Sequence, residues 1–198
     1  MSMTITYKIG KSLYLNITNQ CPNKCSFCIR ESDQGINPNE SLWLEREPSL
    51  DEIISALTKE DLRSYEEIVF CGYGEPTMRL DVLLDVAKYL NEQSSPPLRL
   101  NTTGLSDLVH NKKTAPLLAK YIERINISLN APNAETYVKL CKPVHGTAAY
   151  EAMLNFAKEC KGLFPQVTLS VVAFALNEAE LESCRKICAA LDIPLRLR

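Results

Sequence analysis

The chain alternates short apolar runs with stretches of helical periodicity, and that alternation limits it to a parallel sheet with helical crossovers. Leu13 to Thr18 is the first predicted strand. Helical periodicity begins after Pro48, where Ser49 can cap the helix and Glu52 stands three residues on, as in a capping box. Glu67 to Cys71 is the second strand and Leu80 to Leu90 the next helix. Leu98 to Asn101 and Arg124 to Leu129 are strands separated by a short helix from Ala115 to Ile122. Thr147 to Lys161 is helical, with Gly162 placed to stop it. Val167 to Phe174 is a fifth strand, and Asn177 with Glu180 caps the helix that follows. Ile193 to Leu197 closes the pattern as a sixth strand. Six such units of parallel strands with right-handed connections point to an α/β fold, a partial TIM barrel of the (β/α)6 kind. An open doubly wound sheet is the alternative. Both place ligands at the carboxyl ends of the strands. The 198 residues suffice for one domain spanning 1–198, with a long loop at 29–47 after the cysteine motif that follows the first strand.

The unusual polar segments all fall at predicted strand ends. After the first strand comes Cys21-Pro22-Asn23-Lys24-Cys25-Ser26-Phe27-Cys28. After the second comes Gly72-Tyr73-Gly74-Glu75-Pro76, after the third Asn101-Thr102-Thr103-Gly104, and Ser128-Leu129-Asn130 ends the fourth. Three thiolates on one short loop can hold three irons of a cubane and leave the fourth without a protein ligand. A structural zinc or a structural cluster is normally closed by four. The competing reading is a zinc site completed from elsewhere, by His145 or Cys71, in a non-catalytic binding module. The net charge of −2 gives no footprint of a general nucleic-acid binder, so no direct nucleic-acid binding is expected. No apolar run reaches membrane-spanning length, and residues 1–11 lack a signal-peptide pattern. Eight cysteines without secretory features fit a reduced, cytoplasmic protein.

C-x3-C-x2-C after a first strand, with an aromatic residue before the third cysteine, resembles the radical S-adenosylmethionine (radical SAM) superfamily. Gly72 to Pro76 resembles that superfamily's GGE motif, with Tyr73 in the place of the second glycine. The wording around Asn16 to Cys28, the segment Leu42 to Ser49 and the length look like the small TatD-associated radical SAM group. The resemblance covers nearly the whole chain.

It implies a [4Fe-4S] cluster on Cys21, Cys25 and Cys28, with S-adenosylmethionine completing the fourth iron. It implies reductive cleavage to a 5′-deoxyadenosyl radical that abstracts hydrogen from a substrate, and a flavodoxin or ferredoxin as electron donor. Phe27 is then expected against the adenine, and Gly72, Tyr73, Gly74 and Glu75 at the methionyl end, the glycines allowing close approach to the ligand. Asn101, Ser128 and Asn130 are expected at the ribose and carboxylate, and Val172 and Ala173 at the adenine through their backbones. A bare barrel favours a small molecule or short peptide as substrate. A glycyl-radical activase acting on a partner protein is the enzymatic alternative. Arg79 reads as a surface residue, and Trp43 between Leu42 and Leu44 as a pin holding the long loop to the barrel. Cys160, Cys184 and Cys188 read as packing residues. Cys141 and His145 fall in a polar loop within reach of a substrate.

Overall fold

The computed structural model describes residues 3–31 and 41–198. Asp33, part of the long connection, lies outside the described residues. Seven strands form one sheet in strictly sequential order: β1 Thr6–Ile9, β2 Ser12–Leu15, β3 Glu67–Phe70, β4 Leu98–Thr102, β5 Arg124–Ser128, β6 Gln166–Val171 and β7 Leu195–Leu197. The pairings from β2 to β7 are parallel, giving the six predicted parallel strands. The seventh is an addition at the edge. β1 turns back on β2 as an antiparallel hairpin through Gly10-Lys11, with Gly10 at φ +58°.

The helices are α1 Leu50–Leu57, α2 Leu80–Glu92, α3 Ser106–His110, α4 Ala115–Leu118, α5 Ala134–Cys141, α6 Ala148–Lys161 and α7 Glu178–Leu191. Sequential order decides between the two architectures, because a doubly wound sheet reverses direction midway and this one does not. Right-handed crossovers without reversal place every helix on one face, so the sheet curls into a partial barrel. The predicted caps form as the sequence implies. Glu52 N donates to Ser49 Oγ at 3.2 Å and Ser49 N to Glu52 Oε2 at 2.8 Å; Asn177 and Glu180 make the same reciprocal pair ahead of α7. Each is worth about 1 kcal/mol. The hairpin, α3 and α5 went unpredicted.

The register divides the sheet into two unlike faces. Leu13 pairs with Ile68, which pairs with Leu98, and Leu100 with Ile125, which pairs with Val167. These side chains point outward and join one buried cluster with Ile53, Leu83, Leu90, Met153, Phe156 and Leu181 from the helices. Burying such a side chain contributes roughly 1.5–3 kcal/mol, so this face carries most of the stability. Cys160, Cys184 and Cys188 lie in the same cluster, as packing residues should. The opposite parity holds Tyr14, Glu67, Arg99, Asn101, Arg124, Asn126 and Ser128, and it faces the lumen. Among the described residues no helix is long and apolar enough to cross a membrane.

Candidate active site

At the carboxyl end of β2 the backbone runs into the cysteine loop, and hydrogen bonds from a distant segment hold that loop down. Lys24 N donates to Cys141 O at 2.9 Å and Ser26 N to Leu140 O at 2.9 Å, both carbonyls at the end of α5. Val144 N donates back to Pro22 O at 2.9 Å, and Asn23 bridges Pro143. Asn23 Nδ2 also donates to Tyr137 OH at 3.2 Å inside α5. The loop is therefore clamped from below by residues more than a hundred positions later. Cys21, Cys25 and Cys28 are each half-buried on the loop that follows β2.

The residues after β3 lie directly against this loop, and the two glycines make that possible. A Cβ on Gly72 would sit 2.1 Å from Asn16 Oδ1, and one on Gly74 would sit 2.3 Å from Thr18 O and 2.6 Å from Gln20 O. No side chain fits in either gap. The glycines thus admit a neighbouring loop, where the sequence suggested approach to a ligand. Glu75 N donates to Gln20 O at 2.7 Å and closes the contact.

Glu75 itself is 3% exposed, and its carboxylate is the hub of the mouth. Oε1 accepts from Thr77 Oγ1 at 2.7 Å, Thr77 N at 3.1 Å and Thr102 Oγ1 at 2.8 Å, while Oε2 accepts from Thr103 N at 2.6 Å. A carboxylate has about four acceptor positions, two on each oxygen; here three donors crowd Oε1 and one reaches Oε2. Glu75 joins the end of β3 to the end of β4. The Tyr73 ring joins a small cluster with Tyr7, Leu42 and Tyr14, with Trp43 edge-on at 5.4 Å between centroids. Leu42 and Leu44 are the buried pins of the loop, whereas Trp43 is 48% exposed. Arg79 is no surface residue. Its Nη1 donates to Ile17 O at 2.9 Å and Pro48 O at 2.7 Å, and its Nε pairs with Glu47 at 3.2 Å, so it ties down the strand that launches the cysteine loop.

The remaining expected contacts are placed as follows. Phe27 is partly buried against the core beside the cysteine loop. Asn101 accepts from Arg99 Nη1 at 2.7 Å. Ser128 Oγ and Asn130 Oδ1 both accept from Arg198 Nη2 at 3.3 Å, a partner that sequence reasoning did not foresee. Asn130 takes φ +55°, a left-handed conformation that asparagine tolerates, and its Nδ2 donates to Cys141 Sγ at 3.8 Å. The Ala173 amide donates to Arg198 O at 3.0 Å, and Val172 O accepts from Ala175 N. Cys141 is fully buried under the cysteine loop and Val144 is exposed beside it, so of this segment the thiol is inward and not on a polar surface.

The donor set and its surroundings fit a cluster. Burial pushes the Cys21 thiol up to about 12, and the Glu75 carboxylate adds to the shift. A hydrogen bond with Cys141 and then burial push the Cys25 thiol up as well. A bound metal charge is what deprotonates thiols of this kind. Among the described residues no three His, Cys, Asp or Glu side chains converge as on a single metal ion. A cubane has no such point, because each of its irons takes its own thiolate. At the mouth, Thr103 Oγ1 and Asn23 Oδ1 are buried polar atoms without a hydrogen-bond partner.

Comparison with known proteins agrees with this geometry. The family model described as "Radical SAM superfamily" matches residues 15–187. A probable GTP 3′,8-cyclase of Methanocaldococcus jannaschii is 27% identical over 190 residues, covering 92% of this chain and 58% of that protein. A GTP 3′,8-cyclase of Corynebacterium glutamicum is 27% identical over 200 residues, covering 96% and 48%. The chain thus spans about half the length of the curated relatives it matches. Streptococcus suis SuiB bound to S-adenosylmethionine superposes with a TM-score of 0.70 at 16% identity, over 96% of this chain and 40% of that one.

Proposed function

The chain belongs to the radical SAM superfamily, and on that premise we propose that it is a radical SAM enzyme acting on a small molecule. The cofactors of the family are a [4Fe-4S] cluster and S-adenosylmethionine. When bound, they supply a one-electron cleavage whose 5′-deoxyadenosyl radical removes a substrate hydrogen. The protein's part is to hold, orient and exclude water. Cys21, Cys25 and Cys28 would hold three irons. The turn Gly72 to Glu75, packed without a gap on the cysteine loop, would present backbone carbonyls to the methionyl ammonium. Glu75 orders that turn through its four bonds. Asn101 and Ser128 share the parity of the lumen face, and with Asn130 they would contact the nucleoside. Phe27 and the backbone at Val172 and Ala173 would cover the adenine.

One observation carries this reading: the three-cysteine loop is clamped at the mouth of a partial barrel, side by side with the glycine turn. The relatives named GTP 3′,8-cyclase support a small-molecule substrate over a peptide or a partner protein. Residues 1–198 act in this reading as one core unit in the cytoplasm, with a flavodoxin- or ferredoxin-type donor. The wording of the first motif supports the narrower likeness to the TatD-associated group. The test is anaerobic reconstitution followed by reduction with dithionite in the presence of S-adenosylmethionine. The wild-type protein should carry about four irons and release 5′-deoxyadenosine, and Cys25→Ala should lose both signals. Full cleavage by Cys25→Ala, or zinc in place of iron in the wild type, would refute it.

A further inference from the structure

The lumen has a second polar centre at the opposite end of the strands from the cysteines. Arg99, Arg124 and Glu67 sit in the first two positions of β4, β5 and β3, and Arg196 enters from β7. With Asn126 and Thr168 they line a cavity of about 240 Å³. Glu67 accepts a fork from Arg99, Nη2 to Oε1 at 2.7 Å and Nε to Oε2 at 3.1 Å. It also accepts from Arg124 Nη1 at 3.2 Å and from Ser12 Oγ at 3.0 Å. One carboxylate therefore faces three guanidiniums, and two positive charges are left over. Among the described residues Arg196 has no acidic partner, and Arg124 has none besides Glu67.

Asn126 gives the independent sign of a ligand. It is 5% exposed, it lines the same cavity, and its Oδ1 has no hydrogen-bond partner. Barrel interiors that are only structural fill such positions with branched apolar residues. Here an excess of planar, bidentate-capable donors surrounds an unpaired acceptor. Guanidiniums are the residue type that matches carboxylate and phosphate oxygens. The side chains grade from 13% exposed at Arg99 to 38% at Arg124, so the cavity is buried at its wall and open to solvent at one side.

We propose that this end of the lumen binds an oxyanion group, phosphate or carboxylate, of a small molecule, through Arg124 and Arg196, with Asn126 Oδ1 accepting an N–H or O–H of the same ligand. Arg99 is held in place by Glu67 and forms the charged wall. The strand from Arg124 to Ser128 rises about 13 Å. Arg196 is in register with Ser170 and, through it, with Ser128, so a ligand held between Arg124 and Arg196 spans part of that rise, with its anion at the end away from the cysteines. That last assignment rests on the function proposed above; the anion site does not.

Calorimetric titration of the cluster-free chain of residues 1–198 with inorganic phosphate and, separately, with succinate at low ionic strength tests the site. Saturable binding of at least one anion is expected, about tenfold or more weaker in Arg124→Met and unchanged in Cys25→Ala. Phosphate alone would identify a phosphate ester, succinate alone a carboxylate, and both a site for either oxyanion. Absence of saturable binding overturns the proposal, as does equal affinity in an Arg124→Met protein that unfolds at the wild-type temperature. If Arg124→Met fails to fold, Thr168→Glu places a like charge in the cavity, and undiminished binding by that variant overturns the proposal equally. Anion binding together with no release of 5′-deoxyadenosine would leave the site standing and refute the enzymatic reading alone.

Discussion

The two faces of one sheet use opposite chemistry at alternating positions of the same strands. On β4, Leu98 and Leu100 point to the helices while Arg99 and Asn101 point to the lumen; on β5, Ile125 and Ile127 alternate with Arg124, Asn126 and Ser128. The outer face needs only apolar residues of about the right size, since dispersion and desolvation have no direction. The lumen face needs a named partner for each polar atom, since an unpaired buried group costs about 1–3 kcal/mol. Stability is therefore concentrated outside and chemistry inside.

Truncation of the outer face should cost most. Phe70→Ala removes a fully buried ring from the main cluster and should lower the unfolding free energy by about 3–5 kcal/mol in urea titration. A loss under 1 kcal/mol would break the contrast between the faces. Gly74→Ala comes next, because its methyl would meet two backbone carbonyls that cannot swing aside. About 1–3 kcal/mol is expected, together with a drop in iron bound on reconstitution that Phe70→Ala at matched stability does not show.

Glu67→Gln sharpens the contrast through its pH dependence. Burial alone would raise the Glu67 carboxyl, but its bonds from Arg99, Ser12 and Arg124 outweigh that and hold it below 4.5. A depressed carboxyl stabilises the fold above its unfolded value, and the contribution is lost as pH falls through the folded value. The wild type should exceed Glu67→Gln by about 1 kcal/mol near neutrality, and the gap should close below pH 4.5. A gap that widens on acidification would contradict the ion-pair geometry. Ser128→Ala should be nearly silent in stability, within about 0.5 kcal/mol, because its partner Arg198 is exposed. Its effect belongs in the affinity for S-adenosylmethionine.

The same contrast explains what could be read in advance. The outer face and the helix caps follow local rules, so the six parallel strands, Ser49 with Glu52, and Asn177 with Glu180 were legible from spacing alone. The cysteine loop and the glycine turn were legible as motifs at strand ends. Lumen partners were not, because they meet across the fold: Arg99 and Glu67 are 32 positions apart, Ser128 and Arg198 are 70. Arg79 was misread for the same reason, its partners Ile17 and Pro48 lying 62 and 31 positions away. The edge hairpin escaped because Thr6–Ile9 is four residues long and buries only Tyr7.

The gapless contact at Gly72 and Gly74 has a bearing on affinity. Loops that must order themselves around a ligand lose conformational entropy at the moment of encounter. Here the cysteine loop, the glycine turn and the end of β4 are already one fastened unit, joined through Gln20 O and the Glu75 carboxylate. The ordering cost falls at folding, so more of the interaction energy at the mouth is left to appear as tight binding.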